Sequence, residues 1–170
     1  MKRQGMRALD FRAPALMGGE LTYLRGTRYV NRVVALCFLP AARFVSAEMI
    51  ERHTQRFEEL NATLLIVDSG AHPLHRWWTD EREKPSTRVL TDLCGRLHRY
   101  FGVVDAEPLQ RCHTFIIDRT GILRLRVSHD FVEHDMTALR GLILSSQSHG
   151  TIESAHHADS TESRIARLSV

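Results

Sequence analysis

The side chains with the most reactive chemistry in this sequence are the thiols of three cysteines, Cys37, Cys94 and Cys112. A thiolate is a strong nucleophile, and a nearby positive charge or a helix N-terminus favours it over the neutral thiol. Cys112 lies between Arg111 and His113, so it is the first candidate for a redox thiol. Cys94 follows Asp92, which can cap a helix, and a place in the first helical turn makes its thiol the second candidate.

Each thiol also has a structural interpretation. Cys37 lies inside the apolar run RVVALCFLP, where a cysteine is usually a small buried hydrophobe. The alternatives are a silent position at a strand end for Cys112 and a structural role in its helix for Cys94. No C-x-x-C pair occurs, so dithiol exchange of the thioredoxin type is not predicted. An odd number of cysteines and no signal-peptide pattern lead us to expect reduced thiols and a cytoplasmic location.

Three other classes of partner are considered: metals and cofactors, nucleic acids, and membranes. Potential metal ligands crowd the segment His129, Asp130, Glu133, His134 and Asp135. Their spacing is not an established signature, so we interpret them as loop and helix-cap residues and predict no metal and no cofactor. The 23 basic residues barely exceed the 20 acidic ones and are spread along the chain, which argues against nucleic-acid binding. No membrane contact is predicted, because no stretch approaches the roughly 20 apolar residues that span a bilayer.

Apolar runs alternate with segments of helical periodicity, which predicts an α/β fold built on a central sheet. Strands are predicted at 21–24, 32–39, 63–67, 89–90, 114–117 and 123–127. Helices are predicted after Ser46, at 72–79, after Asp92 and after Asp135. In the first helix Ser46 is the expected N-cap and Glu48 adds a negative charge to the first turn.

The composition changes after Leu144. Residues 145–170 are rich in serine, histidine, threonine and charge, and they contain few apolar residues. Such a segment buries too little apolar surface to offset the entropy of ordering. The sequence therefore predicts one domain over 1–144 and a polar, flexible tail over 145–170.

Segments along the chain resemble, in the right order, those of one family. They are ALDFRAPALMGGEL (8–21), RVVALCFLP (32–40), LLIVDSGAHPLHRWW (64–78) with His75 and Trp78, VLTDLCGRLHRYFGV (89–103) and RCHTFIIDRTGILR (111–124). They resemble the peroxiredoxins, the alkyl hydroperoxide reductase and thiol-specific antioxidant group. The resemblance covers residues 8–144. It implies a thioredoxin-like fold of the peroxiredoxin type with a central mixed β-sheet flanked by helices, a thiol-dependent antioxidant or oxidoreductase activity, and a homodimer.

The resemblance fails at the position that carries the family's chemistry. The family pattern after the apolar strand is P-x-x-x-T-x-x-C, with a glutamate three residues beyond the cysteine. Here Pro40 is followed by AARFVSAEMIE, which contains no cysteine. The cysteine position falls on Ala47 when counted from Pro40, on Val45 when counted back from Glu48, and on Ser46 when F-V-S is matched. A serine hydroxyl is not ionised at neutral pH and has no sulfenate step, so Ser46 cannot replace the thiol.

A second departure affects the family's arginine, which lies three residues before the phenylalanine of T-F-I-I-D. That position is Cys112 here, and Arg111 lies one residue earlier, on the opposite face of a strand. The equivalents of the family's active-site pocket are then Pro40, Ser46, Glu48 and Arg111. Two functions follow from the resemblance. The first is a non-catalytic binding or regulatory module that has lost the peroxidatic cysteine. The second is a redox enzyme that reduces peroxide with a relocated thiol, Cys112 or else Cys94.

Overall fold

The computed structural model describes residues 5, 7–17, 20–40, 45–68, 87–103, 111–145 and 147, and all structural statements concern these residues. Its strands are β1 (Arg12–Met17), β2 (Glu20–Arg25), β3 (Val33–Phe38), β4 (Ala62–Asp68), β5 (Val89–Thr91), β6 (Cys112–Ile117) and β7 (Leu123–His129). Its helices are α1 (Ala47–Glu59), α2 (Arg96–Phe101) and α3 (133–145), with a short 3-10 helix at Gly26–Tyr29. The predicted 72–79 helix, with His75 and Trp78, lies outside the described residues, as does nearly all of the predicted tail.

The described strands form one sheet in the order β2-β1-β5-β4-β3-β6-β7. The central pairs β3–β4 and β4–β5 are parallel, and the other pairs are antiparallel. The predicted mixed central sheet with flanking helices is therefore confirmed. Strands β3 and β4 are buried along their whole length, as expected of apolar runs that are covered on both faces.

Strand β1 was not among the predicted elements. Its sequence, RAPALM, contains Pro14, and a proline inside a segment argues against a strand because it cannot donate a ladder hydrogen bond. The strand forms through pairing with β2 next to it and with β5, which lies far along the chain. Local sequence patterns carry no record of that distant pairing.

The two faces of the sheet belong to two separate hydrophobic cores. On β3 the residues Val33, Ala35 and Cys37 belong to the core that also contains buried residues of α1 and α3. Their neighbours Val34, Leu36 and Phe38 belong to the core on the other face, which contains Leu97 and Phe101 of α2. Because side chains alternate along a strand, the register of β3 places Cys37 on the face covered by α1 and α3.

Two predicted helix starts differ from the structure. Helix α2 begins at Arg96 after Gly95, which adopts a left-handed conformation with a φ of 62°, so Cys94 lies in a turn before the helix and the prediction of a first-turn thiol is wrong. Helix α3 begins at 133, and the Asp135 carboxylate accepts a hydrogen bond from the Asp130 N–H at 2.8 Å instead of capping the helix start. Helix α2 thus begins later than predicted and helix α3 earlier, and at both starts an aspartate carboxylate accepts a local backbone hydrogen bond.

Other local predictions are confirmed. Ser46 is the N-cap of α1, and strand β7 has one exposed face that carries Arg124 and Arg126. Within the described ranges, no helix combines the length and the apolar character needed to cross a membrane.

Candidate functional site

The N-terminus of α1 is the place where the family resemblance expects a reactive thiol. Ser46 has an extended backbone there, and its Oγ accepts a hydrogen bond from the Met49 N–H at 3.2 Å. Val45 and Ala47, the two other alignments of the cysteine position, are buried in the core under α1. Glu48 lies exposed in the first turn, and Pro40 is buried just beyond the end of β3. The described residues at this helix start therefore contain a capping hydroxyl and no thiol.

Arg111 and Cys112 are neighbours in the chain but differ in exposure: Arg111 lies in a bend just before β6, and Cys112 is the first residue of that strand. The Arg111 side chain is 54% exposed, and its Nε lies 3.4 Å from the Asp130 Oδ1. Cys112 is the first residue of β6 and is 0% exposed. The guanidinium of Arg111 therefore forms a surface ion pair, while Cys112, where the family resemblance expects an arginine, is a buried thiol.

Cys112 has a second thiol next to it. In the antiparallel pairing of β3 with β6, Cys37 is the partner of Thr114, and Cys112 lies two residues from Thr114 on the same face. In the pairing of β6 with β7, the partner of Cys112 is His129. The register of three neighbouring strands thus gathers four polar side chains on the face covered by α1 and α3. We call them the thiol cluster: Cys37, Cys112, Thr114 and His129.

The members of the thiol cluster are hydrogen-bonded to one another. The Thr114 Oγ1 and the His129 Nε2 are 2.8 Å apart, and Cys37 forms side-chain hydrogen bonds with Cys112, His129 and Thr114. Both thiols and Thr114 are fully buried, and His129 is 3% exposed. The Nδ1 of His129 is also buried and has no hydrogen-bond partner among the described residues. A closed group of this kind can share and move protons between its members.

The electrostatics of the thiol cluster favour a thiolate at Cys37. Burial alone raises the pKa of this thiol, because a charged sulphur is poorly solvated in the core. Hydrogen bonds from Cys112, His129 and Thr114, together with the charge of His129, outweigh that effect and lower the pKa of Cys37 to about 5. Hydrogen bonds that a thiolate accepts favour the charged form of the thiol and therefore lower its pKa.

Cys94 lies apart from the thiol cluster. It is exposed, in the turn that precedes α2, and its neighbour Leu93 is exposed as well. The turn also removes the helix N-terminus that was expected to favour its thiolate. The structure therefore separates the two candidate redox thiols: Cys112 is buried beside a second thiol, and Cys94 stands on the surface.

The residues weighed as metal ligands make contacts within the protein. His129 belongs to the thiol cluster, Asp130 pairs with Arg111, and Asp135 accepts a hydrogen bond from the Asp130 backbone. Glu133 accepts a hydrogen bond from Arg56 of α1. Within the part of the chain that the structure describes, no three His, Cys, Asp or Glu residues come together as a metal site.

Sequence reasoning missed the contact between Cys37 and Cys112. The interpretation of Cys37 as a buried residue of an apolar strand is confirmed, since it is 0% exposed. Its neighbours Cys112 and His129 come from strands far along the chain, and only the pairing register reveals that the three share a face. The available signal was that Cys37 lies in one predicted strand and Cys112 near the start of another, and it did not indicate that these strands are adjacent.

Comparison with known proteins agrees with this architecture. A sequence model described as the AhpC/TSA family matches residues 5–126. The chain belongs to the AhpC/TSA family. Among the curated relatives of this AhpC/TSA protein is the selenocysteine-containing peroxiredoxin PrxU of Peptoclostridium acidaminophilum, which is 27% identical over 131 residues. That match covers 71% of this chain, and the chain spans 64% of the length of that relative.

Solved structures show the same fold for this AhpC/TSA protein. Enterococcus faecalis AhpC superposes with a TM-score of 0.68 at 24% identity, covering 86% of this chain and 93% of that one. The reduced 2-Cys peroxiredoxin of Plasmodium vivax gives a TM-score of 0.68 at 19% identity, covering 88% and 99%. The predicted thioredoxin-like fold of the peroxiredoxin type is confirmed by these likenesses.

Proposed function

We propose that this AhpC/TSA protein has lost the peroxidatic cysteine and acts as a non-catalytic binding or regulatory module. The observation that carries the proposal is the start of α1, where Ser46 caps the helix and its hydroxyl is engaged by the Met49 N–H. Peroxide reduction by a thiol needs a thiolate that attacks oxygen and becomes a sulfenic acid. A capping hydroxyl supplies neither the charge nor the oxidisable atom.

The surroundings of Ser46 support the same proposal. Val45 and Ala47 carry buried aliphatic side chains and Ser46 carries a capping hydroxyl, so none of the three alignments of the cysteine position offers a thiol. Arg111 is paired with Asp130 at the surface. The charge that would favour a thiolate at the helix start is thus directed elsewhere.

Peroxide consumption by the reduced protein tests this function. After addition of a slight excess of hydrogen peroxide, we expect peroxide loss no faster than with the same concentration of free cysteine. Multiple-turnover loss faster than this reference, measured with excess hydrogen peroxide and the same dithiol reductant in both samples, would overturn the proposal. The Ser46→Cys variant is the positive control, because a helix N-terminus favours a thiolate at that position, and Ser46→Ala is its matched negative control.

A second candidate function is thiol-dependent peroxide reduction by a relocated cysteine, Cys112. The observation that favours it is the side-chain hydrogen bond between Cys112 and Cys37, which brings two thiols together inside the core. If this enzyme function is correct, Cys112→Ala abolishes catalytic peroxide loss and Cys94→Ala does not. If Cys112→Ala keeps the activity of the original chain, Cys112 is excluded. Loss of activity in Cys94→Ala alone assigns the role to the other candidate, Cys94.

We further propose a cytoplasmic homodimer that works without a cofactor. The free thiols of all three cysteines suit a reducing compartment. For a second copy of the chain, the outer strand β2 presents Leu21 and Tyr23, which are 68% and 59% exposed, at one edge of the sheet. Sedimentation velocity over a range of protein concentrations tests the assembly, and a monomer at every concentration would rule it out.

A further inference from the structure

We propose that Cys37 and Cys112 form a reversible dithiol–disulfide pair across β3 and β6, oxidised by hydroperoxides, with Cys37 as the sulphur oxidised first. This inference goes beyond the proposed function, because forming one disulfide per chain requires no turnover. In the non-catalytic module the disulfide would be its oxidation-dependent regulation. The pair differs from a lone buried cysteine, since two thiols, a histidine and a threonine converge on the same face of the sheet.

The strand register places the two thiols as diagonal neighbours. Cys37 is paired with Thr114, and Cys112 is two residues from Thr114 on the same face. Diagonal neighbours in an antiparallel pair have Cα atoms about 7–8 Å apart, slightly more than the roughly 4.4–6.8 Å found across disulfides. Closing the bond therefore draws β3 and β6 together. Cys112 is the first residue of β6, one position beyond the last described β3–β6 partners, Phe38 and His113, where the backbone can adjust.

The required adjustment also makes the disulfide reversible. A disulfide formed with backbone strain is reduced more easily than a relaxed structural one. The thiols already lie within hydrogen-bonding distance of each other, so the bond does not need a large search. We therefore expect a disulfide that forms on oxidation and is broken by ordinary dithiol reductants.

The order in which the two thiols are oxidised follows from the hydrogen-bond donors around the Cys37 sulphur. Cys37 receives hydrogen bonds from Cys112, His129 and Thr114, and the imidazole of His129 adds a charge contribution in the same direction. These donors stabilise negative charge on the Cys37 sulphur.

The chemistry balances with one hydroperoxide per disulfide. The Cys37 thiolate attacks the terminal oxygen, the O–O bond breaks, and the leaving alkoxide takes the proton that Cys37 had released, which yields an alcohol and a sulfenic acid. The Cys112 sulphur then attacks the Cys37 sulphur, the S–O bond breaks, and hydroxide leaves with the Cys112 proton as water. The two sulphurs together lose two electrons, and the peroxide bond gains them.

Burial sets the rate of this oxidation. Both thiols are 0% exposed, and they share a core with Phe131 and Met136 at the α3 side. A hydroperoxide reaches Cys37 only when this packing opens locally. The reaction is therefore expected to be slower than oxidation of the exposed Cys94, and small oxidants such as hydrogen peroxide are favoured over bulky ones.

The experiment uses the full chain with Cys94→Ser, so that only the buried thiols can react. The reduced protein is treated with hydrogen peroxide, and its intact mass and its non-reduced peptide map are followed over time. We expect a loss of two hydrogens from the mass and one cross-linked species that joins the peptides of Cys37 and Cys112. A dithiol reductant restores the starting mass. The same peptide map of the unsubstituted chain shows the same cross-link, which makes the result independent of how the variants fold.

Two further variants assign the order of attack. With Cys112→Ser added, we expect oxidation to stop at a sulfenic acid on Cys37 that a dimedone probe traps. With Cys37→Ser added, Cys112 reacts more slowly and gives no trapped product on the same time scale. Trapping on Cys112 with Cys37 unmodified would overturn the assignment of Cys37 as the first sulphur.

The outcomes separate this inference from the proposed function. If both buried thiols remain free, or gain oxygen separately without a cross-link, the disulfide is refuted and the non-catalytic function stands. If peroxide disappears over many turnovers while the disulfide forms, the non-catalytic function is refuted and the disulfide stands. One cross-link per chain without turnover supports both.

Discussion

The thiol of Cys37 on β3 is hydrogen-bonded to the thiol of Cys112 on the neighbouring antiparallel strand β6. His129 on β7 completes the arrangement, because its ring bonds to both Cys37 and Thr114. Two thiols and an imidazole thus share one buried face of the sheet, beneath α1 and α3. The family position at the start of α1 contains no thiol among the described residues, and two of the three cysteines lie on the buried face of the sheet.

The first prediction concerns the titration of Cys37. Ultraviolet absorbance of thiolate, followed against pH in the folded protein, is expected to show a transition near pH 5, since hydrogen bonds and the charge of His129 lower the pKa of Cys37 to about 5. The transition should vanish in Cys37→Ala and persist in the matched surface control Cys94→Ala. Absence of any transition below the range of a free thiol, about 8.5, would contradict this assignment.

The same lowered pKa predicts a pH dependence of stability. The unfolded chain binds a proton at Cys37 below about pH 8.5, whereas the folded chain binds it only below about pH 5. The contribution of Cys37 to the free energy of unfolding is therefore complete above about pH 8.5 and lost as the pH falls toward 5. Urea denaturation at several pH values should show that the free energy of unfolding rises less steeply with pH in Cys37→Ala than in Cys94→Ala.

A second prediction concerns the helix cap at Ser46. Its Oγ accepts the Met49 N–H at 3.2 Å, and α1 supplies Ile50 and Phe57 to the core. Ser46→Ala leaves that N–H without its partner and should lower the free energy of unfolding by about 1 kcal/mol. Ser46→Asp, which keeps a capping oxygen, is the matched control and should remain close to the original stability. Equal urea midpoints for the alanine and aspartate variants would refute a capping role.

A third prediction concerns the buried pair of Asp92, which precedes α2, and His98, which lies within α2. The Asp92 Oδ2 accepts hydrogen bonds from the His98 N–H at 2.9 Å and from the His98 ring at 2.7 Å. Both residues are buried, and the His98 ring packs edge-on against Phe38. Asp92→Ala orphans two buried donors and should cost about 1–3 kcal/mol in the free energy of unfolding. Asp92→Asn keeps an acceptor oxygen and should cost less.

The pKa of Asp92 gives this comparison a pH signature. Burial raises the pKa of the carboxyl group, but the hydrogen bonds from His98 outweigh burial and leave it below its ordinary value. The stabilisation is therefore present above the unfolded pKa of about 3.9 and is lost as the pH falls through the lower folded value. The difference between the original chain and Asp92→Asn should narrow in strong acid, and a constant difference would contradict the charge-assisted pair.

A fourth prediction concerns His53, which links α1 to α3. Its ring lies edge-on to Phe131, its Nδ1 is 3.4 Å from Arg140, and its Nε2 is 3.6 Å from Glu133. Burial lowers the pKa of His53 to about 4; Glu133 opposes this shift, and three arginines add to it, Arg140, Arg52 and Arg56. The charged form of this imidazole is therefore disfavoured in the folded protein.

The consequence is a loss of stability in mild acid. The unfolded chain binds a proton at His53 below about pH 6.5, while the folded chain binds it only below about pH 4. The free energy of unfolding should fall over this window by up to about 1.4 kcal/mol per pH unit from this group. His53→Phe removes the titration and should flatten this part of the profile relative to the original chain. Parallel profiles would show that His53 is not the group responsible.

Much of the fold was predictable because its signals are local. Strands β3 and β4 correspond to unbroken apolar runs, and β7 corresponds to an alternating pattern. Each pattern spans only a few neighbouring residues. Ser46 as N-cap is read in the same way. The start of α2 was not predictable, because the Asp92 carboxylate reaches forward to His98 and a left-handed Gly95 delays the helix. Strand β1, with its internal proline, depends on pairing with β5.

By itself, the sequence determined the α/β class, the ordered segments of the AhpC/TSA family and the absence of a cysteine between Pro40 and Glu48. These are properties of residue type and short spacing. Only the tertiary structure decided that Cys37 meets Cys112 and His129, because the strand pairings bring together residues that are distant in the chain. A shift of one residue in that register would turn each side chain to the other core. The chemistry available to the buried thiols therefore depends on how β3, β6 and β7 align.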